Sequence, residues 1–225
     1  MNILALETST DLASVALQWN GQLTSLQLQS PPAHSATLLP AVRRLMDEAG
    51  ASFKGLDRIA CGTGPGSFTG VRLACSVAQG LALAAGCGIV PVCSLLALAE
   101  GSGFSEVYCA MDARMSEVYV AAYRASPAGW QEVVAPCCVP PAATPFPGKG
   151  DWHGVGTAFS AYPSVMEGCQ AWLHDAPVFA QPDAGAVLAL ARIGAVIDPA
   201  GLTPVYVRDR VAQTIAERLA AGGRA

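Results

Sequence analysis

The run from Gly62 to Gly70, Gly-Thr-Gly-Pro-Gly-Ser-Phe-Thr-Gly, sets four glycines between an apolar stretch and a helical pattern. Glycine tolerates positive φ and lets other groups come close to the backbone. A strand, a glycine-rich turn and a helix start in that order can therefore present a cluster of free N–H groups, suited to a phosphate, a carboxylate or a partner's backbone. The alternative is a tight turn that only reverses the chain.

Mismatches to familiar loops narrow the chemistry. A Walker loop ends in Gly-Lys-Ser/Thr, yet the lysines of this chain are Lys54 and Lys149. A dinucleotide fingerprint would put its third glycine at Ser67 and an acidic residue about 20 positions on, where Ala84 to Gly88 stand. A nucleophile elbow would need glycines at Pro65 and Thr69. Ser67 reads instead as a helix N-cap.

Composition excludes further classes. The chain has 225 residues, enough for a full core as one domain or two compact lobes. Its net charge is −4, and Arg43-Arg44 is its adjacent basic pair, so independent RNA binding is disfavoured for want of a basic stripe. Only 13% of residues are charged and the mean hydropathy is +0.38, which fits either an alanine-rich core or a surface buried by a partner. The start of the chain lacks a basic n-region and cleavage site, so the eight cysteines read as cytosolic thiols. There is no Cys-x-x-Cys, and His34, His153 and His174 are isolated, so no metal site is expected. Leu73 to Ala99 carries no charge, but Gly86, Gly88 and Pro91 interrupt it; its unbroken apolar helix of about 13 residues suits a buried core rather than a membrane span.

Along the chain, strands are expected at Asn2–Leu6, Leu12–Trp19 and Gln22–Leu28, with Asn20-Gly21 as a type I′ hairpin turn. A helix over about Ser35–Ala49, with Gly50 at C′, carries Leu38, Val42, Leu45 and Ala49 in one stripe widened by Leu39 and Met46. Leu56–Cys61 is the next strand, and after the glycine loop a helix runs over about Phe68–Ala85. Its ridge of Gly70, Ala74, Ala78 and Ala82 could face the chain's own sheet or dock a helix from another subunit. Ile89–Val92 reads as a strand and Ser94–Ala99 as a short helix. A boundary near Gly101–Phe104 divides 1–102 from 103–225. The second half restarts with strands at Val107–Met111 and Glu117–Tyr123, a weak repeat of the opening pattern. Six prolines make 127–150 loop-like, with short edge strands at best. Gly154–Gly156 reads as a turn, Asp183 as the cap of a helix to about Ile197, Val205–Arg208 as a last strand, and Val211, Ile215 and Leu219 as a final amphipathic helix.

Glu7 and Asp112 are the acids best placed to face a cleft between lobes, where carboxylates could hold Mg²⁺ through water while Thr8 and Ser9 touch phosphate. Asp112 to Tyr119 packs opposite charges beside an aromatic, which fits a cleft element or a solvated turn.

Glu7-Thr8-Ser9-Thr10, His34-Ser35 with Leu38-Leu39-Pro40, GPGSFTGVR at Gly64–Arg72, Ala78-Gln79-Gly80-Leu81, DARMSEVY at Asp112–Tyr119 and Pro204-Val205-Tyr206-Val207-Arg208 together resemble the TsaB family. The resemblance covers most of the first half and anchor points across the second. It implies an α/β, actin-like (ribonuclease-H-like) fold of two lobes, each a β-meander plus helices, with a last helix returning to the first lobe. It implies a cytoplasmic, non-catalytic scaffold for the transferase TsaD, as a heterodimer joined by the ATPase TsaE. That assembly moves a threonylcarbamoyl group from its adenylate to the adenosine 3′ of the anticodon in tRNAs reading A-starting codons.

By position, the implied partner interface is His34, Leu38, Leu39, Val42, Leu45 and Met46, then Gly64, Pro65, Gly66, Ser67, Phe68, Thr69 and Gly70, then Arg72, Leu73, Ala74, Val77, Ala78 and Leu81. Glu7, Thr8, Ser9, Asp112 and Arg114 would mark a vestigial nucleotide cleft. Glu7 departs from the aspartate common in the family, and 127–150 matches poorly. No cofactor is expected on this chain alone, with ATP and Mg²⁺ at a shared interface; tRNA would be met only through the complex, and an isolated chain could pair with a second copy. The rival reading is an independent Mg-nucleotide phosphotransferase or ATPase of the actin-like superfamily.

Overall fold

Asn20 at φ 51° and Gly21 at φ 85° occupy the left-handed region at both central turn positions, as a type I′ turn requires. The hairpin they close pairs β2 (Ala13–Trp19) with β3 (Gln22–Leu28) in unbroken register from Ala13 opposite Leu28 to Trp19 opposite Gln22. This turn belongs to a computed structural model that describes residues 1–28, 34–169 and 171–208. β1 (Ile3–Glu7) lies antiparallel to β2 and parallel to β4 (Arg58–Gly62), and β5 (Gly88–Val92) extends the sheet in the order β3-β2-β1-β4-β5.

The second half repeats this arrangement. β6 (Glu106–Asp112), β7 (Val118–Ser126) and β8 (Gly129–Val139) form an antiparallel meander, and β9 (His153–Val155) runs parallel to β6, giving the order β8-β7-β6-β9. The faint sequence repeat is thus a duplicated topology.

The structure corrects four expectations here. The proline-rich 127–150 region contains β8, an eleven-residue strand. It tolerates Pro136 because it is an edge strand, and because β8 advances from Val134 to Cys137 while β7 advances from Ala122 to Val120, so the proline falls in a bulge. Gly154 lies in β9 opposite Tyr108 rather than in a turn. The Asp183-capped helix, α6 (Ala184–Ala191), stops well before Ile197, which instead bridges Ile89 at the sheet edge. Val205–Arg208 forms no strand; Val205 N–H donates to the Thr63 carbonyl at 2.8 Å. The final helix around Val211, Ile215 and Leu219 lies outside the described residues.

α1 (His34–Glu48) and α2 (Phe68–Ala85) cover one face of the first sheet, and α6 covers the other. Strand alternation sorts the core: Leu4 and Leu6 pack with the helices α1 and α2, while Ile3 and Ala5 pack with Ala184, Val187 and Leu188 of α6. α1 ends in a Schellman motif, with Gly50 at φ 58° and Ala51 N–H donating to the Met46 carbonyl at 2.8 Å. α3 (Ser94–Ser102) packs on the second sheet through Leu95 and Leu98 and also touches α6. The pair α3–α6 is therefore the layer between the sheets, and residues 184–191 serve the first sheet although they follow the second in sequence. α4 (Ala158–Ala161) and α5 (Pro163–Cys169) cover the opposite face of the second sheet.

The helix faces overturn part of the implied interface. Leu38, Val42, Leu45 and Met46 are at most 1% exposed and pack into the first core. Ala74 and Ala78 are fully buried, and a Cβ on Gly70 would overlap the Thr8 carbonyl oxygen. The small ridge faces the chain's own sheet, because removing side-chain bulk lets the helix backbone approach β1 and β4. Gly64 and Pro65 are buried as well. Among the described residues α2 is the one helix long and apolar enough to cross a membrane, and this buried ridge is that of a core helix.

Candidate functional site

The glycine loop is built around the segment Glu7–Ser9. Thr8 Oγ1 donates to the Gly70 carbonyl and Ser67 N–H donates to the Ser9 carbonyl, both at 2.6 Å. A Cβ on Gly66 would overlap the Ser9 carbonyl, and one on Gly62 would overlap the Glu7 carboxylate. Gly64 N–H donates to Ser94 Oγ at 3.2 Å, and Gly70 N–H to Ser67 Oγ at 3.4 Å, the N-cap bond of α2. The expected cradle of free amides is corrected at these positions. The glycines make room for the end of β1, and the amides of Gly64, Ser67 and Gly70 are already bonded.

Glu7 is also corrected. It is fully buried and does not line the cleft. Oε1 accepts from Ser9 N–H at 2.6 Å, and Oε2 accepts from Ser94 Oγ at 2.8 Å. Burial pushes the carboxyl pKa above its ordinary value, and the hydrogen bonds from Ser9 and Ser94 oppose that shift only in part. Thr8 likewise turns inward. Of the five residues expected at the cleft, Ser9, Asp112 and Arg114 reach it.

The cleft is a cavity of about 620 Å³ between the lobes. Asp11, Phe68, Tyr119, Thr157 and Arg208 also line it. Its charges are matched. Arg114 Nη2 pairs with Asp11 Oδ2 at 3.0 Å, and Nη1 lies 3.3 Å from Asp112 Oδ2. Asp112 Oδ1 accepts from Arg114 N–H at 2.7 Å and from the Tyr162 hydroxyl at 2.8 Å. Arg208 Nη2 donates to the Ala113 carbonyl at 2.9 Å, while its Nε sits 2.7 Å from Glu117 Oε2 as an ion pair whose N–H is not aimed along the contact.

No lysine lines this cavity, its arginines are neutralised in place, and Glu7 is sealed from it. Among the described residues, no three His, Cys, Asp or Glu side chains converge to hold a metal ion. Arg208 and Tyr206 were absent from the residues expected at the cleft. Their only signal in sequence is the Pro204–Arg208 run, whose position beside the cleft is a tertiary fact.

A second surface lies on the outward faces of α1 and α2. Leu39 is 50% exposed and Phe68 45%; Ser67, Thr69 and Arg72 are exposed, and Gly66, Leu73, Val77 and Leu81 are half-buried. His34 opens α1, and its side chain lies outside those described. The Arg72 guanidinium stands 3.5 Å over the Phe68 ring, and its Nε donates to the Tyr206 hydroxyl at 2.8 Å. On α1, Arg43–Asp47 and Arg44–Glu48 pair one helical turn apart on exposed ground.

A family model described as TsaD, tRNA N6-adenosine threonylcarbamoyltransferase, matches residues 29–166, more than half of the chain. The tRNA threonylcarbamoyladenosine biosynthesis protein TsaB of Escherichia coli (strain K12) is 35% identical over 227 residues, covering 94% of this chain and 96% of that protein. The protein of the same description from Haemophilus influenzae is 34% identical over 180 residues, 74% of this chain and 76% of its own length. The solved structure of YeaZ from Pseudomonas aeruginosa aligns with a TM-score of 0.81 at 35% identity, covering 91% of this chain and 99% of that one.

Proposed function

The chain belongs to the TsaB family of tRNA threonylcarbamoyladenosine biosynthesis proteins, with its actin-like, ribonuclease-H-like fold, and from that premise we propose that it serves this biosynthesis as a non-catalytic partner subunit. The observation that carries the reading is the state of its cleft. The carboxylate at the end of β1 is buried beneath Ser9 and Ser94, and the cleft arginines are already paired. What the chain offers instead is the exposed strip over α1 and α2.

On this reading the strip docks the transferase TsaD as a heterodimer, TsaE joins the pair, and the threonylcarbamoyl group passes from its adenylate to adenosine on TsaD. The net charge of −4 favours contact with tRNA through the complex, in the cytoplasm where tRNA is modified. ATP and Mg²⁺ would be held at surfaces the subunits share. A second copy of the chain would cover the same strip when TsaD is absent.

Reconstitution tests the proposal. The purified chain alone modifies no tRNA, and it restores threonylcarbamoylation when added to TsaD and TsaE. Full activity of TsaD with TsaE in its absence overturns the reading.

A further inference from the structure

The two sheets meet through α3 and α6, and beside the cleft the extended segment 204–208 crosses from the first sheet to the second. Val205 N–H donates to the Thr63 carbonyl at 2.8 Å, which anchors the segment to the start of the glycine loop. Gly64 admits it: a Cβ there would stand 3.3 Å from the Val205 carbonyl oxygen, at a φ of 92° that favours glycine. Tyr206 accepts from Arg72 and lies 5.9 Å from the Phe68 ring, both on the exposed end of α2. Two residues later Arg208 is on the other lobe, where it holds the carbonyls of Ala113 and Arg114 at 2.9 and 3.3 Å.

The turn that Arg208 grips is unusual. Arg114, Met115 and Ser116 have φ of 61°, 53° and 59°, three consecutive side-chain-bearing residues in the left-handed region. Such a backbone persists only where its surroundings over-determine it. Within the turn, Ala113 N–H donates to the Glu117 carbonyl at 3.0 Å and Glu117 N–H to the Arg114 carbonyl at 3.1 Å. Arg208 Nη2 adds the external hold by donating to both carbonyls, with a charged partner in Glu117. The other ionic tie across the cleft, Arg114 to Asp11, joins side chains that are 71% and 66% exposed and is weakened by solvent.

We propose that Pro204–Arg208 is an interlobe strap: a partner that engages Phe68 and Arg72 on α2 moves or stiffens Tyr206, and Arg208 passes this to the Arg114–Ser116 turn and so to the width of the cleft. This rests on the partner reading above and adds a regulatory path to it. The strap has a grip on each lobe, and both grips border the same cavity.

Hydrogen exchange on the full chain, alone and with TsaD, tests it. Arg208→Ala speeds exchange of the Ala113 and Glu117 amides at least tenfold and leaves β4 unchanged; Arg208→Lys, which keeps the charge without the planar guanidinium, gives an intermediate rate. TsaD slows the same amides in the wild-type chain and fails to do so in Arg208→Ala, although both bind. If Arg208→Ala loses its fold, Tyr206→Phe takes its place in the partner arm, since it removes only the hydroxyl that meets Arg72. Unchanged turn exchange in Arg208→Ala, or equal protection by TsaD in wild type and variant, overturns the strap while leaving the partner reading intact. Failure of the wild-type chain to bind TsaD overturns the partner reading and the coupling with it, whereas the grip of Arg208 on the turn is still read from the free chain.

Discussion

Glu7 Oε2 accepts a 2.8 Å hydrogen bond from Ser94 Oγ, and this contact joins the end of β1 to the start of α3 in a place with no exposure to solvent. The acid that should have faced the cleft is a structural element. Because burial raises its folded pKa above 4.5, the folded state binds more protons than the unfolded state between 4.5 and that higher value. Stability from this group is therefore full at low pH and falls as pH rises through that window. Glu7→Gln keeps an acceptor for Ser9 N–H and cannot ionise, so its melting temperature relative to wild type rises from pH 5 to pH 8. A relative melting temperature that is flat or falls over this range contradicts the assignment.

Gly70 and Gly80 lie on the same helix and carry opposite expectations. A Cβ at Gly70 overlaps the Thr8 carbonyl, whereas one at Gly80 meets nothing within 4 Å. Gly70→Ala lowers unfolding free energy by about 1–3 kcal/mol through overpacking. Gly80→Ala raises it by about 0.5–1 kcal/mol, since glycine in a helix interior is unfavourable by that much. Urea denaturation of both variants reads the contrast.

Ala78 and Leu39 separate stability from association. Ala78→Leu forces bulk into a fully buried contact with the sheet and costs about 1–3 kcal/mol in folding. Leu39→Ala and Phe68→Ala trim exposed side chains and leave the melting temperature within a few degrees. In a titration with TsaD they weaken binding about tenfold, which corresponds to about 1.4 kcal/mol. Wild-type affinity in both surface variants places the interface elsewhere.

Calorimetry of the isolated chain with Mg-ATP bears on the rival nucleotide-binding reading. The sealed Glu7, the cavity lining without a lysine and the Arg208–Glu117 pair lead us to expect no heat of binding at micromolar concentrations. A micromolar dissociation constant restores the phosphotransferase reading.

Local chemistry was written plainly in the chain. Asn20-Gly21 demanded its hairpin through positive φ at both positions, Ser67 capped α2, and the helix expected over about Phe68–Ala85 has those limits. These features depend on neighbours a few residues away, so a linear reading reaches them. β8 was missed because prolines argue against a strand only when both sides of it are paired, and whether a strand lies at an edge is a property of the whole sheet.

The sequence by itself determined most elements of the first half, the repeated opening of the two halves and the family, since turn chemistry, hydrophobic period and motif spacing are all local or additive. Only the tertiary structure decided which way the helices face: an apolar stripe such as Leu38 to Met46 looks the same whether the chain's own sheet or another protein covers it, and the answer is set by the strands that β-alternation turns toward it. The same reason sealed Glu7 and brought Arg208 to the turn at Arg114, 94 residues away, because desolvation and ion pairing depend on distances in space that no spacing along the chain encodes.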